Sequence, residues 1–360
     1  MKPKQPTIKD VAERARCGIA TVSRVLNETG SASLDTRERV MAAAAALGFE
    51  FSALGRSLQS NRTKTLGCVV PSLANPIFAD VVQAAQRVAN AKGYQLILAC
   101  SEYDEDLELK AVRMLLAKQV DGLILTVNNA QASEALSLVS RKNLPAALVY
   151  NRPVHDLKSW AVDNGEAARA VAEAFAGHGH RHTGFLALRF HRSDRSRERY
   201  DGYVAACLNL GLEPPVLLEI EEQDGQLLDL LGGLLDRNKA LTGIFASNDY
   251  LALAAIKAAR QLGRRIPQDL SIVGFDGISS GQMVDPNLAT IVTDPAAMGL
   301  GAAGYVLALL ENEAVPRPLD AKRAFRFRTG GTLGASSTGK ADDREAATSL
   351  SSFLQPLRTS

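Results

Sequence analysis

Apolar residues recur at helical spacing through the first fifty positions of the chain. One stripe in the first segment is formed by Ile8, Val11, Ala12 and Ala15. Thr7 precedes this stripe and Asp10 follows Thr7 by three residues, which is the spacing of a helix capping box. The pattern therefore predicts a helix that begins directly after Thr7.

Two further segments continue the helical pattern. The segment IATVSRVLN (19–27) has an apolar face formed by Val22, Val25 and Leu26. A third segment follows Ser33, which favours a helix N-cap, and ends at Gly48, which favours a C-cap. Its inward positions are Val40, Ala43, Ala44 and Leu47. So few large apolar residues predict a small three-helix module with a core of its own.

From Leu66 the pattern changes to short apolar runs separated by longer amphipathic stretches. The runs are LGCVV, YQLILAC, DGLILT, PAALVY, HTGFLAL, PVLLEI, TGIFAS, LSIVGFD and LATIV. Continuous apolar strands alternating with helices are typical of parallel sheets that are covered on both faces. The segment is longer than one sheet usually needs, so it predicts two similar α/β lobes with a ligand cleft between them.

Charge distinguishes the head of the chain from its body. Residues 1–64 hold eleven Lys and Arg against six Asp and Glu, a net charge of +5, and the remainder sums to −3. A basic head indicates a polyanionic partner, although a solvated basic surface would give the same count.

Membrane and export features are missing from the sequence pattern. No apolar run reaches the ~20 residues of a membrane span, and MKPKQPTIKD (1–10) lacks the apolar stretch of a secretory signal. The four cysteines show neither CxxC nor metal-ligand spacing, which favours reduced thiols. We therefore expect a cytoplasmic protein without membrane association.

The first two predicted helices, joined by the short link RCG (16–18), form a helix-turn-helix pattern. The outward face of the second helix carries Ile19, Ala20, Ser23, Arg24 and Asn27. Arginine can reach a guanine edge or a phosphate, serine and asparagine can hydrogen-bond to bases, and isoleucine can contact a thymine methyl group. The same residues could instead form the solvated face of a helical bundle, so the helices alone leave both interpretations open.

Several ordered motifs resemble the LacI/GalR family of bacterial transcription regulators. The motifs are TIKDVAERARCGIATVSRVLN, TRERVMAAAAALGF, ALGRSLQSNRTKTLG, NPIFADVV, VDN, RYDGY, SND, IPQDLSIVGFD and LATI. The resemblance runs from Thr7 to about Thr332. It implies an N-terminal all-α helix-turn-helix head with a hinge helix, followed by an α/β core of two doubly wound parallel-sheet lobes like those of periplasmic binding proteins.

The resemblance also implies domain boundaries. We expect a DNA-binding head at 1–49, a hinge helix and linker at 50–64, an effector-binding and dimerisation core at 65–334, and a mostly disordered polar tail at 335–360. Within the core, the resemblance implies an N-lobe of about 65–161 plus 292–324 and a C-lobe of about 162–291 plus 325–334.

The resemblance assigns DNA contacts to the head and the hinge. The implied residues are Thr7, Arg16, Gly18, Ile19, Ala20, Thr21, Ser23, Arg24, Asn27, Ser33, Thr36, Gly55 and Leu58. Ile19 and Ala20 fall at the first base-reading positions. Leu58 falls at the apolar wedge of the hinge helix, which opens a central base step in the minor groove.

Three of these positions depart from the family pattern. Gly18 replaces the usual serine, which removes a side-chain cap and a phosphate contact, although glycine remains an acceptable N-cap. Arg16 replaces a glycine that eases the turn, and it adds a cation that can reach a phosphate. Gly55 replaces an alanine, which costs about 1 kcal/mol of helix propensity in the hinge.

The resemblance implies an effector site in the body. The implied contacts are Ile77, Phe78, Asp163, Arg199, Phe245, Asn248 and Asp276. Arg195 is a further candidate, which rests on the basic segment around it rather than on the resemblance. Carboxylates accept hydrogen bonds from sugar hydroxyls, and Arg199 would donate in a fork. Asp and Asn at strand-to-helix turns also cap helices, so capping is the alternative for these residues.

The segment RFHRSDRSRERY (189–200) is unusually basic. If Arg195 or Arg192 joined Arg199 in the cleft, the ligand would be anionic, such as a sugar acid or a sugar phosphate. We favour the simpler interpretation, a solvated helix start with Asp194 and Glu198 as local partners.

Two other motifs are interpreted as coincidental. GLGAAG (299–304) satisfies the dinucleotide fingerprint, but it follows Pro295 inside a predicted helix rather than in a strand-to-helix turn. HGHRH (178–182) lies in a helix-to-strand connection, where we expect solvent-facing histidines rather than a metal site. We predict no cofactor, no metal and no catalytic constellation.

These observations predict a homodimeric transcription regulator, and we expect it to be a repressor. It would bind a pseudo-palindromic double-stranded operator and respond to a sugar-like effector. The C-terminal apolar residues give about one heptad interrupted by Pro356, which is too short for a tetramerising coiled coil. The rival hypotheses are a solute-binding protein for transport and an enzyme built on the α/β body.

Overall fold

A computed structural model describes residues 6–26, 31–49, 62–188, 190–221 and 226–336. The chain forms two compact units, which meet in sequence between Thr65 and Leu66. Three predicted DNA contacts, Asn27, Gly55 and Leu58, lie outside the described residues, as does the tail from 337 onward.

The first unit contains the three predicted helices: α1 Ile8–Arg14, α2 Ile19–Leu26 and α3 Leu34–Leu47. The Asp10 carboxylate accepts hydrogen bonds from the Thr7 N–H and hydroxyl, at 2.6 and 2.7 Å. Ser33 caps α3 by accepting from the Thr36 N–H, and Gly48 ends α3 in the left-handed conformation. The core of this head is small, and its fully buried residues are Val11, Val22 and Val40.

The second unit, the body, alternates strands with helices as predicted. Its helices are α4 Pro76–Ala91, α5 Glu105–Ala117, α6 Glu134–Arg141, α7 Asn164–Gly177, α8 Asp194–Asn209, α9 Gln226–Arg237, α10 Asp249–Gln261 and α11 Pro295–Glu311. Its strands are β1 Thr65–Val70, β2 Gln95–Cys100, β3 Gly122–Leu125, β4 Ala146–Val149, β5 Lys158–Trp160, β6 Thr183–Leu188, β7 Val216–Ile220, β8 Gly243–Ala246, β9 Ser271–Asp276, β10 Ala289–Thr293 and β11 Phe325–Arg328.

The strands form two sheets, one in each lobe of the body. The N-lobe sheet has the order β2-β1-β3-β4-β5, and the C-lobe sheet has the order β11-β10-β9-β8-β6-β7. The pairs around β3 and around β8 are parallel, which confirms the predicted two-lobed α/β core.

Two strands were not predicted. β5 has only three residues and extends the N-lobe sheet beside β4. β11, with the sequence FRFR, pairs antiparallel with β10 at the edge of the C-lobe sheet. Its alternating arginines and partial exposure differ from the continuous apolar runs that mark buried parallel strands.

The glycines of GLGAAG lie within α11, as predicted, and serve helix packing. A Cβ atom at Gly299 would overlap the main chain of Val81 in α4, and one at Gly301 would overlap the Trp160 indole. Glycine therefore lets α11 approach its neighbours closely.

Candidate functional site

Helix α2 divides its residues between two faces. Val22 and Val25 are buried in the head core, whereas Ile19 is 45% exposed. Ala20 and Arg24 are also exposed, and Thr21 and Ser23 are half-buried. The predicted outward face is therefore open to solvent at Ile19, Ala20 and Arg24 and partly covered at Ser23.

The turn before α2 contains a non-glycine residue in a left-handed conformation. Arg16 has φ +51°, a left-handed conformation that a glycine would adopt at lower cost. The Gly18 carbonyl accepts from the N–H groups of Thr21 and Val22 at 2.9 and 3.1 Å, which begins the helix. Arg16 and Gly18 are both exposed, so each lies where a phosphate could approach.

The remaining predicted head contacts lie at helix ends. Thr7 and Ser33 are exposed and Thr36 is half-buried. The Ser33 and Thr36 hydroxyl oxygens are 2.8 Å apart. Backbone N–H groups at helix starts favour anions, so these caps suit phosphate contacts as well as stabilising the head.

The body contains a narrow cavity between its two lobes. Asn75, Ile77 and Phe78 at the start of α4, together with Tyr103 and Tyr150, form the N-lobe wall. The C-lobe wall is formed by Leu188, Ser193, Arg195, Ser196, Arg199, Ser247, Asn248 and Asp276. Most of these residues follow the carboxyl end of a strand, which is where ligands of parallel sheets bind.

Arg199 is held firmly in the C-lobe wall. Its Nε donates to the Asn164 Oδ1 at 2.9 Å, and its Nη1 donates to the Ser247 carbonyl. Its guanidinium carbon lies 3.5 Å from the centroid of the Phe275 ring, a cation–π contact that fixes the plane of the group.

Asp276 ends β9 with φ +118°, an unusual conformation that turns its carboxylate toward the cavity. Asn75 of the N-lobe donates to its Oδ2 at 3.1 Å. The Oδ1 is buried and accepts no hydrogen bond from any described residue. Burial raises the pKa of Asp276 to about 6, although the Arg199 charge opposes this shift.

Arg195 is buried in the cavity wall, so the favoured interpretation of a solvated helix start is wrong for this residue. It is 5% exposed, and its Nη1 donates to the Val127 carbonyl at 2.6 Å and to the Asp194 Oδ1 at 3.1 Å. Asp194 is its local partner as expected, but the pair is enclosed because the N-lobe covers the start of α8. Arg192 remains exposed.

Asp194 and Glu198 connect the two lobes. The Asp194 carboxylate accepts from the Ala130 N–H and from the Asn151 amide, each at 3.0 Å. Glu198 forms an ion pair with Arg152 at 2.9 Å. These contacts hold the N-terminal end of α8 against the N-lobe.

Two predicted effector contacts lie away from the cavity lining. Asp163 caps α7, and its Oδ1 accepts from the N–H groups of Gly165 and Glu166, both at 3.1 Å. Phe245 is fully buried in β8, with its ring centroid 5.1 Å from that of Phe185. Its position inside the strand, before the carboxyl end, places it in the aromatic core.

Asn248 fits both interpretations that the sequence left open. Its Oδ1 accepts from the Leu251 N–H at 2.8 Å and caps α10, while the residue also lines the cavity. Seven cavity residues were not predicted from the sequence, namely Asn75, Tyr103, Tyr150, Leu188, Ser193, Ser196 and Ser247. Asn75 could have been found as the residue before Pro76, a typical N-cap position.

The prediction that the histidines of HGHRH (178–182) face solvent is wrong for one of them. His180 is buried rather than solvent-facing, with Nδ1 2.8 Å from the Thr242 hydroxyl and Nε2 3.0 Å from the Gly334 carbonyl. Burial lowers its pKa to about 4. His178 and His182 are exposed. Across the described ranges, no group of three or more His, Cys, Asp and Glu residues is arranged to hold a metal ion.

None of the helices in the described part of the chain has both the length and the apolar character needed to cross a bilayer.

Two family models match the chain. The model for bacterial regulatory proteins of the lacI family matches residues 7–51, and the model for a periplasmic binding protein-like domain matches residues 172–329. The first covers the head, and the second covers much of the body.

Curated proteins resemble the chain over nearly its whole length. It is 32% identical over 337 residues to the HTH-type transcriptional regulator GntR of Escherichia coli (strain K12), covering 92% of this chain and 100% of that protein. It is 32% identical over 319 residues to the ribose operon repressor of Halalkalibacterium halodurans, covering 88% and 93%.

A solved structure resembles the fold of the chain. The lac repressor dimer bound to operator and the anti-inducer ONPF has a TM-score of 0.81 and 25% identity, covering 92% of this chain and 100% of that one.

Proposed function

This chain belongs to the LacI family of bacterial regulatory proteins and is a DNA-binding transcription regulator, and we propose that it represses genes through an operator whose occupancy a small effector controls. DNA recognition is best supported by the two faces of α2. Val22 and Val25 are buried in the core of the head, while Ile19, Ala20 and Arg24 face outward.

We propose that α2 enters the major groove. Ile19 and Ala20 would contact base edges, and Arg24 would contact a guanine or a phosphate. Arg16, Thr7, Ser33 and the other predicted head contacts would fix the register on the backbone. The minor-groove role of Gly55 and Leu58, which lie outside the described residues, stays a prediction.

A homodimer would place two heads on the half-sites of a pseudo-palindrome. Support comes from an apolar surface on the C-lobe, where Tyr250 is 64% exposed and Met283 is 81% exposed. A groove beside them is lined by Leu253, Ile256, Val284 and Pro286, among others. We propose that a second copy of the chain covers this groove, as the lac repressor is itself a dimer.

The effector would occupy the interlobe cavity. Ile77 and Phe78 offer an apolar wall, while Arg199, Asn248 and Asp276 offer hydrogen-bonding groups. This combination suits a small polyhydroxylated ligand of the sugar class. An inducer would favour the DNA-released arrangement of the lobes and a corepressor the DNA-bound one, and the site of action would be the cytoplasm.

A binding selection tests the DNA function. Full-length protein is incubated with a randomised library of pseudo-palindromic duplexes, and the enriched sequence is measured by gel shift at several salt concentrations. We expect one preferred palindrome, bound at least a thousandfold more tightly than random DNA, with affinity falling as salt rises.

An Arg24→Ala variant should lose most of this preference, whereas Arg87→Ala, which removes an exposed arginine of the body, should keep it. If no sequence were preferred under any effector condition, the regulator proposal would be wrong and the solute-binding alternative would take its place.

A further inference from the structure

Resting on the effector cavity proposed above, we infer that the effector is a polyhydroxylated anion whose carboxylate or phosphate is held by Arg195 and whose hydroxyl groups are held by Asp276.

Arg195 is a charged donor that is buried without a complete set of hydrogen-bond partners among the described residues. Arg195 is 5% exposed, and Nη1 makes both of its hydrogen bonds. The Nη2 is buried and has no hydrogen-bond partner among the described residues. Because an unsatisfied charged donor is costly, a ligand acceptor at this position would be strongly favoured.

Two carboxylates near Arg195 already accept hydrogen bonds from other donors. Asp194 accepts from Ala130 and Asn151 as well as from Arg195 itself. Glu198 accepts from Asn164 and pairs with Arg152. Neither acid lines the cavity, so a bound ligand would meet the guanidinium rather than these carboxylates.

The surroundings of Arg195 also favour negative charge. The residue lies in the first turn of the 16-residue helix α8, where the helix dipole stabilises anions. The hydroxyl of Ser196, in the same turn, is buried and has no partner within the described ranges. Among the described residues, the charged side chains that line the cavity are two arginines, Arg195 and Arg199, and one acid, Asp276.

Asp276 specifies the other end of the ligand. Its Oδ1 is buried without a described partner, while Oδ2 already accepts from Asn75. An ionised carboxylate accepts hydrogen bonds only, so it would bind hydroxyl groups and repel a second anion. The ligand therefore needs one anionic end and a hydroxyl-bearing end, as in a sugar acid or a sugar phosphate.

Calorimetric titration of the full-length protein distinguishes these ligand classes. The probes are the aldonates, the aldose phosphates and the neutral alditols of the common pentoses and hexoses. We expect at least one anionic probe to bind tenfold or more tightly than its matched alditol. Preference for the aldonates or for the phosphates identifies which anionic group Arg195 holds.

Variants connect the charge preference to Arg195. Arg195→Gln should weaken the best anionic probe by 10- to 100-fold and change alditol binding by less than threefold, while Arg195→Lys should restore part of the anion affinity. Arg192→Gln, which removes an exposed arginine outside the cavity, should bind as the unmodified protein does. Thermal unfolding of each variant without ligand identifies any loss of folding.

Three results would contradict the anionic assignment, and they bear differently on the proposed effector cavity. Tight binding of neutral probes alone would overturn the anionic assignment and keep the effector cavity. An equal loss of anionic and neutral binding in folded Arg195→Gln would show that Arg195 only supports the wall. Binding of no probe, with operator binding intact, would overturn the proposed effector class itself.

Discussion

In the head, Arg24 and Ile19 lie on the exposed face of α2, and the apolar residues behind them form the core. In the body, Arg195 and Arg199 are 5% and 7% exposed, and each donates to main-chain carbonyls. The exposed groups remain hydrated until DNA arrives, whereas the buried ones have lost most of their water on folding. Substitutions on the exposed face of the head should therefore change DNA binding without changing stability. Substitutions of the buried arginines in the cavity should change both ligand binding and stability.

The largest effect is expected where a charge enters the head core. Val22 is fully buried on the inward face of α2, and Val22→Asp would place a carboxylate among apolar side chains. This substitution should lower the free energy of unfolding of the head by several kcal/mol, which is more than so small a core provides. We expect loss of head helicity and of all specific operator binding, measured by circular dichroism and gel shift, with the melting of the body unchanged.

Ser23→Asp is the matched control, because Ser23 is only half-buried on the neighbouring face. It should weaken DNA binding through phosphate repulsion while the head remains folded. A folded Val22→Asp head would show that the two faces of α2 are assigned wrongly.

A second prediction concerns pH and the buried acids behind the cavity. Asp249 is fully buried and accepts from the N–H groups of Gly277 and Ile278, both at 2.8 Å. Burial, together with the Asp276 charge, raises the pKa of Asp249 to about 7. Between the unfolded and folded pKa values the folded state holds a proton that the unfolded state has lost. The free energy of unfolding should therefore fall as pH rises from about 4 to about 7 and become level above that.

Urea unfolding of the body between pH 5 and pH 8 measures this dependence, with an expected difference of about 1–3 kcal/mol. His180, whose pKa burial lowers to about 4, has the opposite dependence below its ordinary value. The informative comparison is therefore with Asp249→Asn at each pH. Identical slopes for the two proteins would mean that Asp249 is ionised throughout.

A third prediction concerns a residue that should affect DNA recognition but not the stability of the head. Ile19 is 45% exposed, so Ile19→Tyr should change the preferred base in each half-site while shifting the melting temperature of the head very little. The enriched sequence from a repeated library selection measures the change. If this substitution unfolded the head, Ile19 would belong to the core rather than to the reading face.

The smallest effect is expected at Gly18, the last residue of the turn before α2. A Cβ atom at this position would meet no atom within 4 Å. Gly18→Ser should supply a side-chain cap worth a few tenths of a kcal/mol and a modest gain in operator affinity through a phosphate contact. Gly18→Ala adds a Cβ without a hydroxyl and should show neither gain.

The helical head and the alternating body were predictable from periodicity, because apolar spacing alone fixed both faces of α2 and the runs that became buried strands. The edge strands β5 and β11 were missed, since short or half-exposed strands lack that signal. The burial of Arg195 is not predictable from the sequence, because a run of charged residues gives no information about which lobe will cover it. Asp163 and Phe245 matched family positions, yet local capping and strand interior placed them off the cavity lining.

Control by an effector requires that operator binding and effector binding change each other's affinity by the same factor. The operator dissociation constant is measured with and without the tightest-binding probe, and the probe dissociation constant is measured with and without operator. We predict that the two constants change by the same factor, between about 5 and 150. A probe that fills the cavity and leaves operator affinity unchanged would contradict the proposal that this protein is an effector-controlled repressor.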